Sequence, residues 1–347
     1  EEGWYLYDAH TLQPIQPVQT SLDLDEPRWD AQNPLRFVFS PWSDADAPTL
    51  MIADVTPTAA GVTIETHSAH DFAADLPPEW NAVVMWRRWE GSPSADGRYD
   101  AFMVEDSDFI TRGLVTYDWQ ADEVIGLYTV TTGEDNEPDS VSMSLSGDYV
   151  LAQFEFCAPG TMGTYAAPCG AMIYTRDLSE GWGISRIIGH SDLALDAQGR
   201  DVVIYQEIDT DQIVMADLQT GAITPLFDLD YSQGGFGLHF SGQAVARPGW
   251  ALVSVFPEES PLDFSNPFWM SGVIYAVELQ ANPRVVQLAH HHSIRSEAEL
   301  DYFAEPHATV NRDFTRVLFT SNWEHYGTGE VEMYMIVLPD DWVERLP

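Results

Sequence analysis

The 347-residue chain contains no lysine, so all 15 of its basic residues are arginines, against 55 aspartates and glutamates. The net charge of −40 argues against nucleic acids and anionic membranes as partners, because proteins bind both through clusters of basic side chains. The charge fits either a well-hydrated surface suited to salty surroundings or the steering of cations. A polyanionic substrate remains compatible where salt screens the charge, but it needs a local cluster of arginine or histidine.

Long apolar runs are also absent. No stretch approaches the roughly 20 apolar residues that a membrane-spanning helix needs, so we predict no membrane span. No basic segment followed by an apolar run opens the chain. We therefore expect that any export signal has been removed already, although a trimmed chain would begin in the same way.

Only two cysteines are present, Cys157 and Cys169. The loop between them is rich in Gly, Pro and Thr, and apolar strand-like segments flank it. This pattern predicts a disulfide at the base of a hairpin, with two free thiols as the alternative. A disulfide implies an oxidising compartment, so we expect a secreted or periplasmic protein.

Short runs of β-branched and aromatic residues, separated by Gly, Pro, Asp and Asn, dominate the rest of the chain. Six similar units superimpose through one strand each: LRFVFS, RYDAFMV, DYVLAQF, DVVIYQE, WALVSVF and TRVLFTS. Four of these strands follow a tight turn, which reads SADG, LSGD, DAQG or NRDF. A repeat of roughly 50 residues or somewhat more, with about four short strands, is typical of propeller blades.

We therefore predict an all-β fold, a single β-propeller domain spanning residues 1–347, with four-stranded antiparallel blades. Seven blades are favoured over six, because the intervals from Phe37 to Tyr99 and from Leu252 to Val317 are long enough to hold extra strands. Residues 1–20 resemble the last two strands of a blade. They either complete a shared blade or add a partial one.

The first strand of each propeller blade lines the central channel, and its early residues face the channel mouth. Aligning the six units places two sets of residues there, two positions apart and so on one face of each strand. The first set is Arg88, Pro138, His190, His239 and Glu305, and the second is Glu90, Ser140, Asp192, Ser241 and His307. This mixture of imidazole, carboxylate and guanidinium suits acid–base and anion-binding chemistry. The alternative is that these side chains only bind water or cap strands.

Two neighbouring segments extend the candidate site. YSQGGFGLHFSGQAVARPGW places Tyr231 on a Gly-rich loop before the second histidine of the set, and Arg247 after it. HHH offers His290 and His292, which share a face on an extended segment. With Glu305 or a nearby histidine they could hold a divalent metal such as zinc, calcium or manganese. A solvated connecting loop is the alternative.

The repeated blades, the segment GLHFSG, the RPGW at Arg247 to Trp250 and the terminal EPHATVNRDFTRVLFTSNW resemble secreted propeller polysaccharide lyases, especially ulvan lyases. The last blade also resembles that of oligogalacturonate lyases, in which histidines before the final turn hold a metal. Glu305 departs from that histidine-rich pattern, which puts metal-assisted chemistry in question. The resemblance covers the C-terminal part of the chain.

The resemblance implies β-elimination of a uronic-acid glycoside in a polysaccharide. That reaction needs a partner for the substrate carboxylate, a base and a proton donor. We assign Arg247 to the carboxylate, His190 or His239 to the base and Tyr231 to the donor. This assignment requires no cofactor. The residues expected to bind substrate around them are Arg88, Glu90, Asp192, Glu305 and His307.

Two other functions stay open. A non-catalytic extracellular propeller that binds a glycan or a protein, or that packs into an assembly, is supported by the twelve tryptophans and by the lack of a highly specific catalytic motif. A glycoside hydrolase is the third hypothesis, and it requires a close carboxylate pair such as Glu90 and Asp192.

Overall fold

The computed structural model describes residues 4–9, 11–18, 24–41, 48–58, 61–88, 91–131, 137–231, 236–257, 269–294, 304–325, 327 and 329–346. Strands dominate these ranges, and the two helical segments described are single 3-10 turns, Phe72–Ala74 and Pro78–Trp80. Within the same ranges, no helix has the length and apolarity needed to cross a bilayer. The chain divides into two compact units, Glu1–Gly183 and Ile184–Pro347.

The first unit contains a two-stranded hairpin and three four-stranded antiparallel sheets, named blades 1 to 3. The hairpin pairs β1 (Trp4–Tyr7) with β2 (Pro14–Val18). Blade 1 consists of β3 (Leu24–Trp29), β4 (Arg36–Pro41), β5 (Thr49–Thr58) and β6 (Gly61–Asp71). Blade 2 consists of β7 (Ala82–Trp86), β8 (Tyr99–Asp106), β9 (Thr111–Asp118) and β10 (Glu123–Thr129). Blade 3 consists of β11 (Pro138–Met143), β12 (Tyr149–Phe154), β13 (Ala171–Thr175) and β14 (Gly181–Ser185).

The second unit contains blades 4 to 6. Blades 4 and 5 have four strands, and blade 6 has three among the described residues. Blade 4 consists of β15 (Ile188–Leu195), β16 (Asp201–Glu207), β17 (Gln212–Asp217) and β18 (Ile223–Asp228). Blade 5 consists of β19 (Phe236–Ser241), β20 (Trp250–Pro257), β21 (Val273–Glu278) and β22 (Val285–His290). Blade 6 consists of β23 (Thr309–Val310), β24 (Arg316–Ser321) and β25 (Glu332–Val337).

The fold is an all-β β-propeller with antiparallel four-stranded blades, as predicted, but it has six blades, so the preference for seven was wrong. The interval after Phe37 holds no additional blade because the 10-residue β5 and the 11-residue β6 fill it, together with the two 3-10 turns. The later interval holds β21 and β22, and residues 258–268 and 295–303 lie outside the described ranges. The prediction of one domain stays a prediction.

The N-terminal hairpin is a sheet of its own within the described residues. Leu6 of β1 packs on the core of blade 1, which is built from Phe37, Phe39, Ala53 and Val55. The hairpin therefore covers blade 1 instead of adding a seventh blade.

All six strands used to align the repeats are the second strands of their blades, namely β4, β8, β12, β16, β20 and β24, which confirms that part of the prediction. Four of the turns before them share one design: the first residue's carbonyl accepts from the N–H three residues later, and that later residue is left-handed. The pairs are Ser94 with Gly97, Ser144 with Gly147, Asp196 with Gly199 and Asn311 with Phe314. Glycine suits three of these positions because it has no Cβ to clash.

The side chain of the first turn residue also accepts a hydrogen bond from the N–H that starts the next strand. Ser94 Oγ binds the N–H of Tyr99 at 2.9 Å, and Asn311 Oδ1 binds that of Arg316 at 2.9 Å. Ser, Asp and Asn recur here because their short side chains reach the backbone a few residues on. These turns fix where the first strand of each blade ends.

The predicted disulfide is present between Cys157 and Cys169, in the connection between β12 and β13. It closes a loop with a sequence separation of 12 residues, as expected for a staple at the base of a hairpin.

Candidate functional site

The second unit brings the histidines of its first strands together. His239 lies on β19, and its ring stacks on that of Phe256 of β20, with centroids 4.8 Å apart and planes 23° apart. Phe256 pairs with Gly237, two residues before the histidine on the same face of β19. A Cβ at Gly237 would stand 2.2 Å from Phe256 Cζ. Glycine at this position therefore makes room for the ring that supports His239.

Glu305 and His307 come from the segment just before β23. Glu305 is 5% exposed, and one of its carboxylate oxygens lies 2.9 Å from His239 Nε2. Its carbonyl oxygen accepts from Thr320 Oγ1 of β24 at 2.7 Å and from His307 Nδ1 at 3.0 Å. The carboxylate of blade 6 and the imidazole of blade 5 thus meet, and His307 is anchored beside them.

His190 completes a row of three imidazoles. Its ring stands edge-on to that of His239 at 4.6 Å, and the rings of His239 and His307 are 4.1 Å apart. The pairing of β15 with β16 shifts register between Ile188 and Ser191, so Gly189 and His190 lie in a bulge. Bulges redirect side chains, and this one leaves His190 exposed beside the buried pair.

The protonation states in this row follow from the surroundings. Burial lowers the pKa of His239 far below its usual range, and the imidazoles of His307 and His190 lower it further, so this ring is neutral. The Nδ1 of His307 faces a carbonyl oxygen, which can only accept, so Nδ1 carries the proton. With the proton on Nδ1, Nε2 is the ring nitrogen of His307 that can offer a lone pair to a ligand.

These features fit a divalent cation. One ligand atom each from His239, Glu305 and His307 lies within 4.8 Å of the others. Two imidazoles and a carboxylate are a donor set that suits zinc and also manganese. The hydrogen bond from His307 Nδ1 to a backbone carbonyl is the kind of outer contact that orients a metal-binding imidazole.

Tyr231 lies at the edge of the same region. Its ring stacks on Phe236 at 4.6 Å, and its hydroxyl binds the side-chain amide of Gln206. A Cβ at Gly189 would stand 2.7 Å from Gln206 Oε1, so this amide borders the residue that precedes His190. Gln206 thus connects the predicted proton donor to the bulge that carries the exposed imidazole.

Arg247 lies elsewhere, in the turn between β19 and β20. Its guanidinium donates to the carbonyl oxygens of Asp313 at 3.2 Å and Asp340 at 2.6 Å, and it stands 3.7 Å from Glu344. These contacts hold the end of the chain against blade 5. The structure does not bring Arg247 into the imidazole row, so its predicted pairing with a substrate carboxylate gains no support.

Asp192 connects blades instead of facing the row. Its Oδ2 accepts from the N–H of Gly242 at 2.7 Å, and its Oδ1 accepts from Leu193 N–H at 2.7 Å and from Gln243 Nε2 at 3.3 Å. Ser241, at the equivalent position of blade 5, likewise accepts from the N–H of Val310 at 3.3 Å. Asp192 and Ser241 of the second aligned set therefore supply contacts between neighbouring blades, whereas His307 of the same set joins the imidazole row.

Arg88 belongs to the first unit. Its guanidinium lies 3.4 Å from the buried carboxylate of Glu105 and 3.5 Å from Asp139, and it packs over the ring of Trp86. Glu90, also predicted to bind substrate, lies outside the described residues. Arg88 is balanced by carboxylates of its own blade and its neighbour.

The three consecutive histidines have separate partners. His290 Nε2 contacts Gln287 Nε2 at 2.9 Å, and His292 Nδ1 contacts Glu324 Oε1 at 3.0 Å. The buried His291 donates from Nε2 to the carbonyl of Val255 at 2.6 Å. Neither His290 nor His292 joins the group of three possible metal ligands found among the described residues.

Two contributors to the site escaped the sequence analysis, Phe256 and Gln206. A glycine directly before LHF, opposite an aromatic residue on the next strand, was the available signal for Phe256. It becomes readable only once the register of β19 against β20 is known.

Comparisons with known proteins are limited to the fold. No protein-family model matches the chain, and no curated protein matches it. A crystal structure of oligogalacturonate lyase from Vibrio parahaemolyticus aligns with a TM-score of 0.59 and 12% identity, over 98% of this chain and 84% of that one. Hydrazine synthase of Kuenenia stuttgartiensis aligns with a TM-score of 0.49 and 11% identity, over 96% of this chain and 89% of that one.

TolB from Acinetobacter baumannii aligns less closely, with a TM-score of 0.38 and 14% identity, over 82% of this chain and 58% of that one. At 12% identity, the alignment with the oligogalacturonate lyase supports the propeller fold and says nothing about chemistry. The resemblance is thus shown at the level of propeller proteins, one of which is an oligogalacturonate lyase. Its extension to ulvan lyases stays a prediction.

Proposed function

We propose that this chain is a β-eliminative lyase of a polysaccharide that contains uronic acid. The observation that carries the proposal is the row of three imidazoles with the carboxylate of Glu305. It offers three ligand atoms for a cation beside an exposed imidazole, His190. The fold shared with an oligogalacturonate lyase is compatible with this proposal.

The chain's own residues cover most of the reaction. His239, Glu305 and His307 would hold a divalent cation, which supplies charge neutralisation for the substrate carboxylate. His190, exposed next to them, takes the proton from the carbon next to that carboxylate. The electron pair of that C–H bond forms the new double bond and expels the glycosidic oxygen, which receives a proton from Tyr231. Gln206 holds the Tyr231 hydroxyl in place.

This assignment replaces the role first predicted for Arg247. The guanidinium of Arg247 is engaged by backbone carbonyls and Glu344. A cation is also the better partner on a chain with a net charge of −40, because it supplies local positive charge where a polyanion must approach.

The test is the ultraviolet absorbance of the unsaturated uronide product. We expect absorbance to rise with at least one member of a panel of ulvan, pectin, alginate and glycosaminoglycans, to stop with EDTA and to return with Mn²⁺ or Zn²⁺. His307→Ala should lower both turnover and cation affinity. His67→Ala, which removes an exposed histidine of the first unit, is the matched control and should change neither.

Three results would redirect the proposal. Binding of a polysaccharide without new absorbance, with or without added cations, would favour a non-catalytic glycan-binding propeller. Equal losses in His290→Ala and His307→Ala would move the cation towards the histidine triplet. Turnover that withstands EDTA and His307→Ala would leave the elimination to the imidazoles alone.

The compartment is part of the proposal. A disulfide between Cys157 and Cys169 persists in oxidising surroundings, which supports secretion or the periplasm. A secreted or periplasmic enzyme would also encounter a polysaccharide substrate in these compartments. Expression with and without export to the periplasm, followed by thiol counting, tests this point, and free thiols in active exported protein would contradict it.

A further inference from the structure

A ladder of aromatic rings reaches the surface on blade 6. Phe319 and Tyr334 face each other across β24 and β25, with rings stacked at 5.5 Å. Trp323 stacks on Tyr334 at 4.8 Å, and His292 lies 4.5 Å from Trp323. Phe319 is buried, whereas Trp323 is 45% exposed. The ladder therefore begins in the core and ends in rings that solvent can reach.

The exposed end of this ladder is built from strained backbone. Trp323 and Glu324 have φ values of 46° and 69°, and the N–H of His325 binds the carbonyl of Asn322 at 2.9 Å, as in a type I′ turn. His292 has a φ of 58°. Such turns normally take Gly, Asn or Asp, and a bulky residue in the left-handed region is strained. Three contacting side chains are thus presented at the expense of backbone stability.

Polar groups border the exposed rings. Glu324 Oε1 lies 3.0 Å from His292 Nδ1, and the hydroxyl of Tyr334 donates to Glu332 at 3.2 Å. Flat aromatic surface attracts the C–H groups of a sugar ring, because the ring face is the negative part of its quadrupole. Carboxylates and an imidazole at the edge accept and donate hydrogen bonds to hydroxyl groups. Two carboxylates also repel an anionic ring.

The ladder is connected to the candidate site. Thr320, three residues before Trp323, binds the carbonyl of Glu305 through its hydroxyl at 2.7 Å. The carbonyl of Thr320 accepts from Ser293 Oγ at 3.3 Å, next to His292. The ladder's exposed end and the Glu305 segment therefore share the end of β24.

We propose that His292, Trp323 and Glu324 form a binding platform for an uncharged pyranose ring, a subsite for a neutral sugar of the polysaccharide whose uronic acid binds at the imidazole row. The link between the two subsites rests on the proposed function, whereas the binding of a neutral ring at the platform does not. The substrate is then a polymer that contains both neutral and acidic sugars.

Neutral hexasaccharides test the platform directly. Cellohexaose, xylohexaose and mannohexaose are titrated into the full chain by calorimetry and tryptophan fluorescence, with hexagalacturonate as the acidic comparison. At least one neutral probe should bind, and Trp323→Ala should weaken it about tenfold or more. Trp29→Ala removes a similarly exposed tryptophan of the first unit and should not alter binding.

Trp323→Gly separates binding from folding, because glycine accepts the left-handed conformation. We expect it to lose the neutral probe while keeping native circular dichroism, and Trp323→Phe to retain part of the affinity. No binding of any neutral probe, or unchanged binding in Trp323→Ala, overturns the platform. So does a concentration-dependent dimer that Trp323→Ala abolishes, since the platform would then be an interface between copies. If neutral probes bind but no uronide forms, the platform stands and the lyase fails.

Discussion

Two histidines, one in each unit, sit in opposite electrostatic surroundings. His70 of β6 donates from both ring nitrogens, to Asp122 at 2.7 Å and to Asp75 at 2.9 Å. Burial lowers the pKa of His70, but the hydrogen bonds to the two aspartates outweigh it and raise the pKa overall. Burial lowers the pKa of His239, and two further imidazoles add to that shift.

The difference shows how neighbours decide what an imidazole does. With carboxylates on both nitrogens, His70 is a cation that fastens β6 to the turn between β9 and β10, with Phe72 and Tyr117 packed around it. With aromatic rings around it and one carboxylate, His239 stays neutral and keeps a lone pair for a ligand. The first is a structural ion pair, and the second is the centre of a candidate site.

The largest expected effect lies at the second unit. His190→Ala should lower the elimination rate by about 10²–10⁴-fold, as the loss of a general base does, because the other exposed imidazole beside His239, that of His307, is assigned to the cation. Initial rates measure it. His70→Ala should leave the rate unchanged, and equal losses in both variants would remove the distinction between the two histidines.

Reducing the disulfide should act on the unit that contains His70. The loop between Cys157 and Cys169 is closed by the bond, so its loss in a Cys157→Ser, Cys169→Ser double variant should lower the free energy of unfolding by about 3 kcal/mol. Urea unfolding measures this. Cation binding by folded protein should be unchanged, and an equally weakened cation site would show that the two units are coupled.

Gly237→Ala should damage the support of His239. The new Cβ meets the ring of Phe256, and overpacking of this kind costs about 1–3 kcal/mol. Thermal unfolding and cation titration should both report the change. Gly189→Ala is the control for stability, because its Cβ meets the movable end of Gln206, and a loss as large as that of Gly237→Ala would argue against the ring contact.

The smallest effect is the pH dependence due to His70. Because its pKa is raised on folding, its stabilisation is complete below its ordinary pKa of about 6.5 and is lost as pH rises through the folded value. We expect at most about 1 kcal/mol, since the aspartates are partly exposed to solvent. Unfolding of wild type and His70→Gln across this range measures it, and identical profiles would contradict the assignment.

Much of the fold could be predicted because it is written in local patterns. The second strands and their turns repeat the same short signals, such as the side chains of Ser94 and Asn311, which accept hydrogen bonds from the following strand. The number of blades could not be predicted from such local patterns. An interval long enough for more strands was filled by the extended hairpin β5–β6, and strand length is set by pairing across the hairpin, which no short pattern encodes.

The candidate site was predictable in part for the same reason. His190, His239 and Glu305 come together because equivalent positions of repeated units face the same way. Arg247 and Asp192 do not join this group because they bind residues that are distant in the sequence. Arg247 binds Asp340, and Asp192 binds Gly242. Tyr231, His290 and His292 had no repeat to fix their positions, so their surroundings depended on tertiary contacts.

The ion pairs described for both units have a consequence for the solvent. Among the described residues, at least eleven of the fifteen arginines already stand beside a carboxylate: Arg36, Arg87, Arg88, Arg98, Arg112, Arg176, Arg186, Arg200, Arg247, Arg284 and Arg345. The chain has little positive charge left with which to balance its other carboxylates. Dissolved cations must do so, and the folded state, which crowds those carboxylates together, gathers more of them than the unfolded chain. The electrolyte is in this sense a component of the native protein, and lowering the salt concentration alone should make the folded state less stable.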